Sequence, residues 1–286
     1  MLIELAIGDA YGVGFEFRKE GFVAQYNQLE KYYPHERYSS LYKRYSDDTQ
    51  MSIALAELML EDINWTPTNI ANKFVEVFQR DVRPGYSSRM YNALAASKDG
   101  NEFLTLIDNN SKGSGAAMRS GVIGLLKFEE EVLEKASIQA SLTHNTKSAI
   151  VSAQLVALAT HYFAYGLGPK QGLEEYLERF ISIDWLEDWE APVSAKGDVC
   201  VKAAITALKR NNNMANLLQD CIAFCGDVDT VAAIALGMAA FSSEMDQNLS
   251  KWMYEELENE NYGKDYLLDL DQKLYHKYKI VKSKTS

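Results

Sequence analysis

Helical periodicity runs through almost the whole chain and leaves little room for a sheet. From Thr49 onward, Met51, Ile53, Ala54, Leu55, Leu58 and Met59 mark one broad apolar face, the recurrence a half-buried helix requires. Residues 70–78 repeat it behind Thr66-Pro67-Thr68, a start signal of a capping hydroxyl with proline at the first helical position. Further amphipathic segments fall at about 117–127, 130–142, 146–165, 170–181, 198–210, 213–224 and 229–241. Alternating strand-like runs are nearly absent, prolines number 5, and no Ser/Gly-rich linker divides the chain. These features predict an all-α protein: one domain over residues 1–286, an orthogonal bundle of ten or more helices with functional residues on loops and helix starts.

Two regions look less regular. Residues 22–45 hold Tyr26, Tyr32, Tyr33, Tyr38, Tyr42 and Tyr45 among charges and read as a connecting segment packed on the surface, with a ligand-cleft lining as the alternative. The end of the chain, about 271–286, carries Lys273, Lys277, Lys279, Lys282 and Lys284 and reads as a solvated, frayed basic tail.

The formal charge of −11 argues against nucleic acid, whose binding rests on Lys and Arg neutralising phosphates. It also means that any phosphorylated ligand needs metal ions or helix N-termini to offset the field. Cys200, Cys221 and Cys225 are odd in number and lack a C-x-x-C pair. Cys221 and Cys225 are spaced to share a helical face, but without clustered histidines the reading is buried thiols in a reducing compartment rather than zinc. The N-terminus has no basic leader and no apolar run approaches the ~20 residues of a membrane span. A cytoplasmic monomer without membrane contact is expected.

Two acidic strings about 180 residues apart carry the first chemistry: Ser46-Asp47-Asp48-Thr49 and Asp227-Val228-Asp229-Thr230. Each runs into an apolar helical stretch. Capping explains either one alone, but a cap uses one acceptor, not two carboxylates and a hydroxyl. Brought together, the strings would form an oxygen-rich pocket suited to hard divalent cations such as Mg²⁺.

Other stretches add candidates, each with a plainer reading beside it. Gly8, Gly12 and Gly14 break a helix or let backbones approach closely. Glu16, between Phe15 and Phe17, is placed for proton transfer if the setting is apolar, and is otherwise an exposed loop residue. Gly113, Ser114, Gly115, Ala116, Ala117, Met118 and Arg119 form a small-residue loop opening onto an expected helix over 116–126. Such a helix start can hold a diphosphate, or can simply pack closely. His144, before another long helix, can hydrogen-bond a ligand or satisfy local backbone. His35, His161 and His276 have no partner in the sequence that suggests a role. No G-x-S-x-G elbow supports a serine nucleophile.

Taken in order, these pieces resemble the ADP-ribosylglycohydrolase family from Gly8 to about Ala240. The family's G-D-A-x-G-x-x-x-E-F opening matches Gly8 to Phe17, and its T-D-D-T-x-M element matches Ser46 to Met51. Its G-x-G-x-A-M-R loop matches Gly113 to Arg119, its T-H element Thr143-His144, and its G-D-x-D-T element Gly226 to Thr230. The resemblance implies an all-α orthogonal bundle holding two Mg²⁺ (Mn²⁺ in some members) on Ser46, Asp47, Asp48, Asp227, Asp229 and Thr230. It assigns Glu16, with Asp47 and Asp48, to catalysis. It puts Gly113, Ser114, Gly115, Ala116, Met118 and His144 against the ADP-ribose. Three departures stand out: Ser46 for the usual Thr, Cys225 where a glycine often precedes the last element, and fewer glycines after Thr230.

The implied activity is hydrolysis of the bond from C1″ of ADP-ribose to a modified protein side chain, with ADP-ribosyl-arginine the expected substrate. Two alternatives stay open. One is a non-catalytic ADP-ribose-binding or crystallin-like member; the other is a hydrolase of a serine-linked or small-molecule conjugate.

Overall fold

Fifteen α-helices make up most of the computed structural model, which describes residues 1–182 and 188–281. The first five are α1 Leu2–Val13, α2 Glu20–Tyr26, α3 Asp47–Leu60, α4 Pro67–Arg80 and α5 Ser88–Ala96. Next come α6 Gly100–Leu106, α7 Gly115–Met118, α8 Glu129–Ser141, α9 Lys147–Ala164 and α10 Leu173–Glu178. The last five are α11 Gly197–Arg210, α12 Met214–Ala223, α13 Val228–Ala239, α14 Lys251–Glu256 and α15 Lys264–Tyr278. Among the described residues there are isolated bridges but no strand, as the periodicity predicts.

Local chemistry sets many of the starts. Thr66 Oγ1 accepts from the Asn69 amide at 3.2 Å with Pro67 at the first position of α4. Thr146 caps α9 and Asn213 caps α12 in the same way. Each side-chain acceptor satisfies an amide that has no partner within its own helix.

The centre of the molecule is the pair α1 and α13, in which every residue is buried. Gly8 and Gly12 lie four apart on one side of α1. A Cβ at Gly8 would sit 2.6 Å from the Ala232 carbonyl oxygen, and one at Gly12 would sit 2.4 Å from Asp229 Cα. Of the two roles open to the glycine-rich opening, close approach is therefore the one used, and α1 runs on unbroken to Val13. The relative lack of glycine in α13 is met from across the interface: α1 supplies the closest approaches.

Several expected boundaries shift. The continuous helix expected over 116–126 is instead the four-residue α7 followed by a 3-10 segment, Ser120–Leu125. Gly124 lies so close to α9 that a Cβ would meet the Ala157 carbonyl oxygen at 2.4 Å, and two glycines weaken the α-helix here. The 170–181 segment divides into a 3-10 turn, Lys170–Gly172, and α10. Helix α12 stops at Ala223, so Cys225 lies beyond it and shares no helical face with Cys221.

The basic tail is also different from a frayed end. Helix α15 extends to Tyr278 and buries Leu267, Leu270 and Leu274. Its Asp271 accepts from the Leu2 and Ile3 amides at 2.9 and 3.3 Å, capping α1. Lys277 Nζ reaches the Met59 and Leu60 carbonyls at the end of α3, where a cation opposes the helix dipole. Lys282 and Lys284 lie outside the described residues. The 22–45 segment packs on the surface, in line with its reading: Tyr32 and Tyr45 are buried, while Tyr38 and Tyr42 remain exposed. Among the described residues no helix is long and apolar enough to cross a membrane.

Candidate active site

Helix α3 begins at the first acidic string, where Ser46 Oγ accepts from the Asp48 amide at 3.4 Å and another helix supplies the rest of the capping. Asp9 of α1, fully buried, accepts from the Ser46 amide with both oxygens at 3.0 Å. It also takes the Thr49 amide at 3.0 Å and the Thr49 hydroxyl at 2.6 Å. Burial pushes Asp9 up to about 6, against the lowering effect of these donors. Because Asp9 does much of the capping, Asp47 and Asp48 are left to face a cavity. Ser46 does not line that cavity; it is buried behind it, and its hydroxyl donates to Asp48 Oδ2 at 3.3 Å.

The second string starts α13 from a tightly held loop. Gly226 takes φ +94°, and a Cβ there would fall 1.8 Å from the Val193 carbonyl oxygen. Asp227 N donates to Val193 O at 3.1 Å, Val193 N to Cys225 O at 2.8 Å, and Phe17 N to Gly226 O at 2.8 Å. The last of these bonds ties the residue after Glu16 to the residue before Asp227. Cys225 adopts φ 61°, so it keeps the left-handed turn a glycine would take, at the steric cost of carrying a Cβ. Fully buried Cys200 points a thiol at Asp227 Oδ2, 3.4 Å away.

The close α1–α13 contact brings the strings together. Asp47, Asp48, Asp227, Asp229 and Thr230 line one cavity of about 230 Å³ with Glu16. Among the described residues, Glu16, Asp227 and Asp229 present oxygens within 4.8 Å of one another, an arrangement able to hold a metal ion. Glu16, expected to handle protons, is thus also within reach of a cation. Burial pushes Asp47 and Asp48 well above the carboxylate range, with Asp9 adding to it. Burial and then Glu16 do the same to Asp229 and raise Asp227. Asp48 Oδ1 and Asp229 Oδ1 are buried without a hydrogen-bond partner. Clustered carboxylates in a low dielectric with unpaired oxygens are a site short of positive charge. All the donors are hard oxygens, the class that suits Mg²⁺ or Mn²⁺.

Glu16 does not sit in the apolar sandwich its neighbours suggest. Phe15 is buried, but Phe17 is 58% exposed, because the chain leaves α1 here and φ at Phe17 turns positive, 50°. The Glu16 carboxylate instead meets His35 Nε2 at 2.9 Å.

The small-residue loop borders the same cavity through Gly113, Ser114, Gly115 and Met118, and Ser114 Oγ lies 3.3 Å from Asp227 Oδ2. Ala116 does not line it; it packs against Ala140 and Ala153. His144 closes this side. A Cβ at Gly115 would come within 2.9 Å of the imidazole, so the missing side chain makes room for the ring. Burial, with Arg119 next, holds His144 well below its ordinary value and therefore neutral.

A helix of four residues carries little macrodipole, so α7 is a poor source of positive potential. Arg119 is a better one. It is buried on the cavity wall, stacked 4.6 Å over Phe74, and hydrogen-bonded to Gln139 and Thr143. Burial lowers it to about 9, which leaves it charged at neutral pH. Asp9, His35, Arg119 and Cys200 are the site residues to which the sequence assigns no role of their own. Asp9 and Arg119 stood inside recognisable motifs, whereas nothing local marks His35 or Cys200.

A second cavity of about 280 Å³ adjoins the first and shares Glu16, Gly85, Tyr86 and Ser87 with it. Gly85 holds φ +114°, and a Cβ there would meet Asp47 Oδ1 at 2.3 Å, so only glycine lets this loop cross Asp47. Buried Arg83 anchors the loop through Asp81, Glu258 and the Tyr45 carbonyl.

The profile of the ADP-ribosylglycohydrolase family matches residues 1–283. An uncharacterized protein of Archaeoglobus fulgidus is 29% identical over 190 residues, 64% of this chain and 61% of its own length. Two proteins named ADP-ribosylhydrolase ARH3, from Xenopus tropicalis and Homo sapiens, are each 28% identical, over 151 and 163 residues. Those stretches take in 49% and 54% of this chain but only 43% of either relative. A solved chain of an ADP-ribosylglycohydrolase-related protein complex shares the fold, with a TM-score of 0.75 over 96% of this chain and 95% of that one at 22% identity. Since the profile takes in every described residue, from the Gly8 opening through α15, the chain belongs to the ADP-ribosylglycohydrolase family.

Proposed function

We propose that this protein hydrolyses the glycosidic bond between ADP-ribose and an arginine side chain, using two divalent cations. The observation that carries the reading is the meeting of both acidic strings and Glu16 in one cavity, with two buried carboxylate oxygens lacking partners. Asp47, Asp48, Asp227, Asp229 and Thr230 would hold the ions, Mg²⁺ or Mn²⁺, with Ser46 behind them on Asp48. Bound there, the ions would supply charge compensation and Lewis acidity toward the distal ribose hydroxyls.

The chain's own residues account for the rest. Glu16 takes a proton from the attacking water and offsets the charge of an oxocarbenium-like transition state. Gly113, Ser114, Gly115 and Met118 shape the wall against which the ribose and diphosphate lie. Neutral His144 contributes a hydrogen bond without adding charge. Arg119 supplies the positive charge that an acidic protein needs beside a dianionic diphosphate. The acceptor enters through the second cavity, where Glu36, Arg37 and the exposed Tyr38 join Glu16. Carboxylates and an aromatic face complement a guanidinium better than a hydroxyl, which supports arginine.

The test is release of ADP-ribose from arginine-, serine- and nucleic-acid-linked conjugates in the presence of Mg²⁺. Faster release from arginine is expected. Release from serine alone would overturn the acceptor assignment, and ADP-ribose binding with no release from any conjugate would make the protein a binding module.

A further inference from the structure

His35 sits in the irregular segment between α2 and α3, far from every motif, yet its ring is held on three sides. Nδ1 accepts from the Arg37 amide at 3.0 Å and from the Tyr38 amide at 2.9 Å. The Tyr38 ring stacks on the imidazole at 5.0 Å and 17°. Arg18 Nη2 donates to the Pro34 carbonyl at 3.0 Å and ties the segment to the connection between α1 and α2. Two amides pointing at Nδ1 leave no room for a proton there, so in the neutral ring the proton is on Nε2. Nε2 is the atom 2.9 Å from Glu16 Oε2, and it must be the donor. The side chains are 6% and 22% exposed, so this is not a loose surface pair of the kind that contributes little. Among the described residues no hydrogen bond engages the other oxygen of Glu16.

We propose that His35 is a positioning residue for Glu16: the backbone of Arg37 and Tyr38 selects its tautomer, and the resulting Nε2–H holds one carboxylate oxygen so that the other faces the cavity. The inference rests on the reading of Glu16 as the carboxylate that takes the proton. The arrangement orients an acceptor-only carboxylate by an outer hydrogen bond, as partners behind reacting groups commonly do.

The test uses two amides that each reproduce half of the ring. In His35→Gln the terminal NH₂ can reach Glu16 as Nε2–H does. In His35→Asn the carbonyl can serve the Arg37 and Tyr38 amides, but the donor to Glu16 is lost. Turnover of an ADP-ribosyl-arginine protein with Mg²⁺, ADP-ribose affinity by calorimetry and thermal melting would be measured on both and on Glu16→Gln. His35→Asn should lose roughly 10–100-fold in kcat, with ADP-ribose affinity and melting near wild type, while His35→Gln stays within a few-fold of wild type. Adding His35→Asn to Glu16→Gln should cause no further loss. Wild-type kcat in His35→Asn, equal losses in both single variants, or a further loss in the double variant would each overturn the proposal. A Glu16→Gln single variant with wild-type turnover would instead remove the underlying reading of Glu16.

Discussion

A methyl group at Gly12 tests whether the α1–α13 contact builds the site. Its Cβ would lie 2.4 Å from Asp229 Cα and 2.8 Å from the Asp229 amide nitrogen, against 3.4 Å for ordinary contact. The difference, 3.4 − 2.4 = 1.0 Å, must be opened between two buried helices. The obstructing atoms are backbone and cannot rotate aside, so Asp229 itself has to move. Overpacking of this kind costs about 1–3 kcal/mol, which lowers Tm by several degrees. A displacement of roughly 1 Å in a reacting constellation is worth on the order of 10² in rate. Gly12→Ala should therefore lower both Tm and kcat/KM, and weaken Mg²⁺ binding measured by calorimetry. Gly21→Ala is the control: no atom lies within 4 Å of its Cβ and the residue is exposed in α2, so it should be neutral or stabilise by up to ~1 kcal/mol. Wild-type melting and turnover in Gly12→Ala would refute the claim that this contact sets the spacing of the two strings.

The other expectations concern single groups. Chelation should abolish turnover and Mg²⁺ or Mn²⁺ should restore it, with Asp48→Ala and Asp229→Ala inactive but folded by circular dichroism; a fully active metal-stripped sample would contradict this. Glu16→Gln should lower kcat by ~10²–10⁴ while ADP-ribose affinity by titration holds. Asp9→Asn puts a donor among the Ser46 and Thr49 donors and should cost about 1–3 kcal/mol in urea unfolding, with weaker cation binding because α3 starts there. His144 is buried and neutral, its folded value held below that of the unfolded chain. Its contribution to stability is therefore full above the unfolded value near 6.5 and lost as pH falls below it, about 2 kcal/mol by pH 5. Urea unfolding at pH 7.5 and 5 should show a smaller drop for His144→Gln than for wild type.

The all-helical character, many of the helix starts and both acidic strings are legible in the chain because each depends on neighbours a few residues away. Thr66 and Thr146 cap the helices that immediately follow them. Paired carboxylates exceed what a cap requires, so residue types alone mark them as chemistry. The broken helix after Gly115 was not legible, since its 3-10 geometry answers to the backbone of α9 through Gly124. Nor was the docked C-terminal helix: its lysines suggest solvent, but Leu270, Asp271 and Leu274 hold it to the core.

The candidate site divides along the same line. Residue types and order determined that oxygen donors for a hard cation exist, and that a glycine-rich loop and a histidine accompany them. Tertiary structure decided which of them meet. Asp9 relieves Asp47 and Asp48 of much of the capping from a helix nearly forty residues away in sequence. Gly12 lets Asp229 approach, Arg119 rather than a helix start brings positive charge to the cavity wall, and His35 reaches Glu16 from a loop with no motif of its own. Hydrogen bonds and close contacts between distant segments leave no local pattern, because each partner answers to a surface that exists only once the chain has folded.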